Sequence, residues 1–505
     1  MKKKKLLTLA LGCMLSLVAC GPDEHVVDQE LPEDDPTSEV NIVFWHCLGH
    51  DKTNVLEEVI VKEFNQTWAG KYHVELVHLA GDYSTLHDAL KTKMSSGEIP
   101  ALSMGYPDSF SEYMTNEIQY SQLLRLDNFI ENENFGYTAA EIADFVPGYY
   151  AEGNHYQFDG VWSMPMYKST EVMYYNDSYM HGDNTQNTKK FTGNAEFTAL
   201  YNKVHGKKTV PEADLEALKT WVKAHGGYAY DVPTTWSEWI ALGRQMITDR
   251  TAQGLNAQND EFYPLGYDSD ANLMISQMKQ RGIEYTSRQG SGAEHFKFYQ
   301  GTNKAATEAL VAEITGYISE GVLLTKNSLG GTKYTNDYFN DGKLAMTVGS
   351  TGGSSYNISE NFVVKLAKVP YSGTTPYYIQ QGPSICFFDN DNPYIHKGAW
   401  LFYKALAAVE NNAALALENS YDPVRISSYD TQDYKTWIGR AGEGLKYDIP
   451  NITSTLKDNY MTSDVFVGSG TARTEIGSTI SYVIGQGYSV AEAVEAAYSA
   501  CVAAA

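Results

Sequence analysis

The sequence predicts an α/β protein built on a mostly parallel sheet with helices on both faces. Between residues 40 and 106, apolar strand-like runs alternate with stripes of apolar residues at helical spacing, the rhythm of a βαβαβ sheet. Gly and Pro fall between the runs, as at Gly97 and Pro100. The length of 505 residues suggests two to four units, at roughly 150 residues each.

Residues 40–45 (VNIVFW) are apolar enough for a buried strand, and Val55, Leu56, Val59, Ile60 and Phe64 then recur at helical spacing. Residues 72–79 are β-rich, Leu86, Leu90 and Met94 mark a second helix, and residues 101–106 form a third strand. Ligands in such sheets lie at the carboxyl ends of strands. That makes His46, Tyr83 and the corner Tyr106-Pro107-Asp108 candidates. Ser109-x-x-Glu112 and Thr235-x-x-Glu238 have the spacing of capping boxes, in which a hydroxyl and a carboxylate satisfy the first free N–H groups of a helix. A second unit begins after the strand-like residues 170–175. Residues 180–230, polar and Lys-rich with a helix near 213–225, read as an insertion. A strand at 343–348 runs into the Gly-Ser-Thr cluster 349–355, and helices follow at 398–417 and 490–504.

Lys and Arg total 38 against 62 Asp and Glu, a formal charge of -24. A nucleic-acid partner is excluded, because phosphate backbones need clustered cations, and so is broad adhesion to anionic lipid. Tyrosine outnumbers phenylalanine, 37 to 18, and a ring with a hydroxyl suits clefts for polar ligands.

The first residues address a compartment. Lys2 to Lys5 are followed by an apolar stretch, residues 6–19, of signal-peptide rather than membrane-spanning length. It ends in Leu17-Val18-Ala19-Cys20-Gly21, which resembles a bacterial lipobox. Cleavage of residues 1–19 would leave Cys20 to carry a diacylglycerol thioether at the extracytoplasmic face of the cell membrane. Residues 20–39, with eight acidic residues and three prolines after the cysteine, read as a flexible tether. Cys47, Cys386 and Cys501 remain, an odd number, and are read as free thiols.

Seven stretches run in an order that resembles one family. They are Asn41-Ile-Val-Phe-Trp-His46, Phe64-Asn65, Ser169-Thr-Glu-Val-Met-Tyr-Tyr-Asn176, Pro233-Thr-Thr-Trp-Ser-Glu238, Tyr338-Phe-Asn-Asp-Gly-Lys-Leu-Ala-Met346, Gln381-Gly-Pro-Ser384 and Tyr421-Asp-Pro-Val-Arg425. They resemble the extracellular solute-binding proteins of ABC importers for sugars and polyols, nearest the glycerol-3-phosphate-binding type. The resemblance implies a two-lobed, type II periplasmic-binding-protein-like fold with the ligand cleft between the lobes. Lobe 1 would take residues 40–168 and 350–417, and lobe 2 residues 169–349 and 418–505. The chain would cross near residues 169–175, 347–350 and 417–421. Closure on the ligand would then signal to an ABC permease. Carried over position by position, the ligand contacts would be Tyr83, Asp108, Ser169, Ser350, Gly382, Tyr421 and Arg473, with no metal and no cofactor. Arg473 offers a planar fork for phosphate or vicinal hydroxyls, and Asp108 orients hydroxyls at the other end. One departure stands out: a Trp pair of the glycerol-phosphate type is replaced by Tyr267-Asp268-Ser269-Asp270, which favours a sugar over an anion.

A secreted carbohydrate-active hydrolase is the alternative, although the sequence has no Gly-x-Ser-x-Gly or His-Glu-x-x-His. A metal site at His46 and His50 would need a helix where Gly49 and the preceding strand oppose one.

Overall fold

The computed structural model describes residues 28–49, 52–114, 121–182, 190–205, 207, 210–255 and 261–505. The signal segment, Cys20 and His50 lie outside them. Two five-stranded sheets organise the chain. In the first, β1 (Val40–His46) lies between β2 (Tyr72–His78) and β3 (Leu102–Gly105), parallel to both, with Val40 opposite Tyr72 and Phe44 opposite Leu102. Right-handed crossovers demand helices here. A helix that opens with a wide π turn (Val55–Val61) and tightens into α form (Lys62–Thr67) makes the first, and Tyr83–Ser95 the second. Leu56, Ile60, Phe64, Leu86 and Leu90 are the buried stripe that docks them. The sheet then departs from the parallel expectation. β11 (Ser384–Phe387) runs antiparallel to both its neighbours, β3 and β4 (Met164–Pro165), and completes the order β2-β1-β3-β11-β4.

The second sheet has the order β7-β6-β8-β5-β9. β6 (Tyr263–Tyr267), β7 (Leu323–Thr325), β8 (Leu344–Ser350) and the edge strand β9 (Val364–Ala367) share one direction, whereas β5 (Glu171–Asn176), between β8 and β9, runs against both. All six residues of β5 are buried. Such a strand, covered on both faces, is read from sequence as a continuous apolar run without alternation. Each sheet has its own apolar core, one around Phe44, Leu102, Trp162 and Trp400, the other around Trp239, Leu265, Met346 and Ile476. The three cysteines among the described residues, Cys47, Cys386 and Cys501, are free thiols, with Cys386 in the first core and Cys501 in the second.

The crossings differ in part from the expected ones. At the first, Ser169 and Gln381 exchange backbone hydrogen bonds of 2.9 and 2.8 Å, and Lys168 does the same with Asp422. The return does not occur at residues 347–350. After Ser350 the chain turns through Thr351–Tyr356 and re-enters the second sheet as β9, reaching the first only at β11. The 350–417 stretch therefore contributes to both sheets. β9 is needed there because it pairs along β5, whose N–H and C=O groups on that side would otherwise be buried without partners.

Thr235 and Glu238 form the expected capping box on the helix Trp236–Ala252. Ser109 and Glu112 do not. The helix begins earlier, at Pro107, whose fixed φ suits a first turn, and Glu112 pairs instead with Lys91 at 2.6 Å and His87 at 3.3 Å. The predicted helix over 398–417 is two, Pro393–Leu406 and Val409–Glu418, whereas the last one, Val490–Ala504, lies where the sequence puts it. Within the insertion, helices Ala195–Val204 and Glu212–Ala224 enclose a small core of Phe191, Phe197, Leu218 and Trp221. Tyr230 N donates to Met180 O at 2.8 Å, so the chain returns to where it left.

The acidic segment expected to be a flexible tether is, from Asp28 onward, a strap on the first lobe. Leu31 is part of the first core, and Pro36 is buried. Asp28 pairs with Arg125 at 2.6 Å. Lys397 Nζ donates to Asp34 O at 2.9 Å and pairs with Asp35 at 3.1 Å. The carboxylates that argue for disorder in sequence are the partners of cations on the body. No helix among the described residues is long and apolar enough to cross a membrane.

Candidate functional site

Residues that follow β2, β3 and β6 and residues of the crossing strands meet where the two lobes face each other, at the interlobe crevice. From the first lobe come Tyr83, at the start of a helix that Asp82 caps through Thr85 N, and Tyr106 and Asp108 after β3. The Tyr83 and Tyr106 rings meet at 4.5 Å. From the crossings come Tyr167 and Tyr421, whose rings lie 4.6 Å apart. The Tyr83 and Tyr421 phenols are close neighbours, each also near Cys47. Burial first, then the neighbouring tyrosines, holds the Tyr83 phenol well above its ordinary value, so the cluster is neutral.

The second lobe supplies a polar chain. Arg473, on the helix Ser469–Ile484, donates to the Asn272 side-chain oxygen. The Asn272 amide donates to Glu171 Oε1 at 2.7 Å, and Tyr267 Oη donates to Glu171 Oε2 at 2.6 Å. Across the crevice, Arg473 Nε stands 3.9 Å from Asp108 Oδ2, an ion pair between the lobes. Burial raises the Asp108 carboxyl while Arg473 pulls it back. Burial lifts Glu171 to about 7, against the hydrogen bonds of Tyr267 and Asn272 and the charge of Arg473.

That shift has a sign. A carboxyl raised from 4.5 to about 7 keeps in the fold a proton that the unfolded chain releases. Its contribution to stability is whole below pH 4.5 and is lost as pH rises through 7. Glu171→Gln keeps the shape and removes the titration. Its stability relative to wild type should rise by about 2–3 kcal/mol between pH 4.5 and 8. Parallel pH profiles in urea unfolding would contradict this.

Of the seven expected contacts, the structure brings four together: Tyr83 and Tyr421 at one end, Asp108 and Arg473 at the other, with Tyr106 between them. The other three have structural work. Ser169 pairs through its backbone with Gln381. The Ser350 hydroxyl accepts from Gly352 N at 3.2 Å, and its carbonyl accepts from Tyr174 Oη at 2.8 Å. Gly382 has φ +94°, and a Cβ there would lie 2.7 Å from Tyr167 O, so the crossing itself requires glycine. His46 is a core residue: its ring packs 5.3 Å from His78, and burial lowers it to about 4. Asp268 and Asp270 turn away from the crevice. Asp268 accepts from Thr335 N at 3.1 Å, and Asp270 from Asn327 N at 2.9 Å. Among the described residues, no group of three His, Cys, Asp or Glu side chains is placed to hold a metal.

Sequence reading missed Asn272, Tyr167 and Glu171 as site residues, and with them the ion pair behind the crevice. There Lys168 and Glu152, both buried, bond to each other. Lys168 Nζ also donates to Gly382 O at 3.2 Å and Ser384 Oγ at 3.0 Å, and Gln380 Nε2 donates to Glu152 Oε1 at 3.1 Å. Lys168 and Glu171 sit within or beside a quoted family stretch. A charged residue in so apolar a crossing was the available signal, because buried charges need partners.

A family model described as bacterial extracellular solute-binding protein matches residues 59–442. No curated protein matches the chain. Several solved structures share the fold. An ABC substrate-binding protein from Listeria monocytogenes in complex with cycloalternan superposes with TM-score 0.63 at 14% identity, over 92% of this chain and 98% of that one. UgpB from Mycobacterium tuberculosis in complex with glycerophosphocholine gives 0.60 at 16%, over 91% and 97%. The cyclic alpha-maltosyl-1,6-maltose binding protein from Arthrobacter globiformis gives 0.60 at 16%, over 92% and 99%. With its two mixed sheets, its crossings and a match over most of its length, the chain belongs to the bacterial extracellular solute-binding protein family.

Proposed function

We propose that the protein captures a neutral sugar or polyol in the crevice between its lobes and delivers it, without turnover, to an ABC permease. The observation that carries this reading is the meeting of Asp108 from one lobe with Arg473 and Asn272 from the other beside a floor of tyrosines. Such a set hydrogen-bonds hydroxyls from both sides and makes closure depend on the guest. Arg473 already faces Asp108 and, through Asn272, Glu171. A phosphate would meet no uncompensated cation there, which disfavours glycerol phosphate. The sugar and glycerophosphocholine ligands of the structural neighbours support small hydroxylated guests in general. Anchoring through a lipid on Cys20, on the outer face of the cell membrane, belongs to the same reading and rests on the lipobox-like residues 17–21.

The test is thermal unfolding of the mature chain against a panel of sugars, polyols and glycerol phosphates. A guest at 100 times its Kd should stabilise the protein by about 2.7 kcal/mol, and Arg473→Ala should abolish that gain. A response confined to the phosphates would reject the neutral ligand, and an undiminished response in the variant would remove Arg473 from the site.

A further inference from the structure

The crevice floor continues outward past Tyr421. A side chain added at Gly352 would lie 2.6 Å from Tyr421 Oη, and Gly352 O accepts from Lys52 Nζ of the first lobe at 3.4 Å. The turn Thr351–Tyr356 therefore borders the crevice. A side chain at the next residue, Gly353, would touch only the Tyr356 ring, at 4.0 Å. The route from Tyr421 to Tyr356 is thus floored by two residues without side chains. At its far end Tyr356 is 65% exposed, Ile358 58% and Tyr334 45%, which gathers three of the seven exposed large apolar residues among those described.

The backbone that carries these residues is held in place. Asn336 and Asn340 both donate to Tyr356 O, at 3.2 and 2.7 Å, and Ser359 Oγ donates to Asn340 O at 3.0 Å. Tyr334 caps the same helix, Thr335–Asn340, whose first N–H is fixed by Asp268 at 3.1 Å. Lys326 Nζ stands 4.0 Å from the Tyr334 ring centre, occupying one face. Apolar surface left bare on a fixed backbone marks a binding surface, and its rigidity lowers the ordering cost of binding.

Resting on the proposed function, we propose that Tyr334 and Tyr356 form an outer platform for an oligosaccharide whose first unit sits in the crevice. A phenol ring has an apolar face and a polar edge, as a pyranose does. Continuity with the crevice through Gly352 and Gly353 favours a sugar here over a protein partner.

The test is a printed glycan array carrying each glycan as one-, two-, three- and four-unit forms, probed with the mature wild-type chain, the Tyr334→Ala/Tyr356→Ala double variant and Tyr356→Phe. Wild-type affinity should rise with length. The double variant should lose about tenfold on the longer forms and nothing on the shortest, with an unchanged melting temperature, and Tyr356→Phe should keep the length dependence. Equal affinity at all lengths in wild type, or an equal loss at all lengths in the variant, would overturn the platform. So would glycan binding that is unchanged in a variant unable to support import, which would assign the patch to the permease. Retention of no glycan by wild type would instead reject the sugar-binding reading itself.

Discussion

Lys168→Met should destabilise the protein by about 3–5 kcal/mol, the cost of leaving a buried carboxylate unpaired. Lys168 has no exposed surface, and its ammonium is shared among Glu152, Gly382 O and Ser384 Oγ. Lys168 and Gly382 lie where the chain passes between the sheets, Ser384 opens β11, and Glu152 belongs to the first lobe. Glu152→Leu alone should cost a similar amount, because it strands the ammonium. Combining Lys168→Met with Glu152→Leu should recover most of the loss, since replacing a buried pair by apolar side chains is often close to neutral. Urea unfolding of the two single variants and the double gives the coupling. Additive losses would show that the pair is not one unit. The same cycle bears on function: the pair ties the 3-10 turn Glu152–Asn154 of the first lobe to two crossing strands, so a double variant with normal stability but weakened ligand response would identify it as the pivot's stiffener.

Deleting residues 28–39 should cost about 2–4 kcal/mol, largely through Lys397. That side chain is fully buried, with its ammonium 4.0 Å from the Phe135 ring centre and turned toward Asp34 O and Asp35. Without the strap it has no carboxylate partner, and Leu31 leaves the core. Lys397→Met in the deleted chain should restore part of the loss by removing the stranded charge. Unchanged stability on deletion would show that the strap is an ornament on a self-sufficient lobe.

Periodicity made the first three strands and their two helices legible, because each buries one apolar stripe against one sheet. It could not show where a sheet turns antiparallel. β11 and β4 are short, and the pairing of β11 with β3 on one side and β4 on the other joins residues more than 200 apart in sequence. The second crossing was misplaced for a related reason. The cluster Gly349 to Ser355 looks like a linker, yet it is a turn between two strands of the same sheet. Of the candidate residues, Tyr83 and Asp108 were suggested by topology and resemblance together, and Tyr421 by the resemblance alone. Asn272 was not, because an asparagine in a helix gives no signal until Arg473 and Glu171 are folded against it. The strap was misread because composition measures how much apolar surface a segment carries, whereas Lys397 and Arg125, distant in sequence, supply the charges that order it.

The most direct test of capture between the lobes is hydrogen–deuterium exchange on the mature chain with and without a saturating sugar found in the thermal panel. Bound sugar should slow exchange together in segments 83–113 of the first lobe and 267–280 and 469–484 of the second, with the crossing at residues 166–171 slowed as well. Slowing confined to one lobe, or located away from all of these segments, would contradict a guest held between the two.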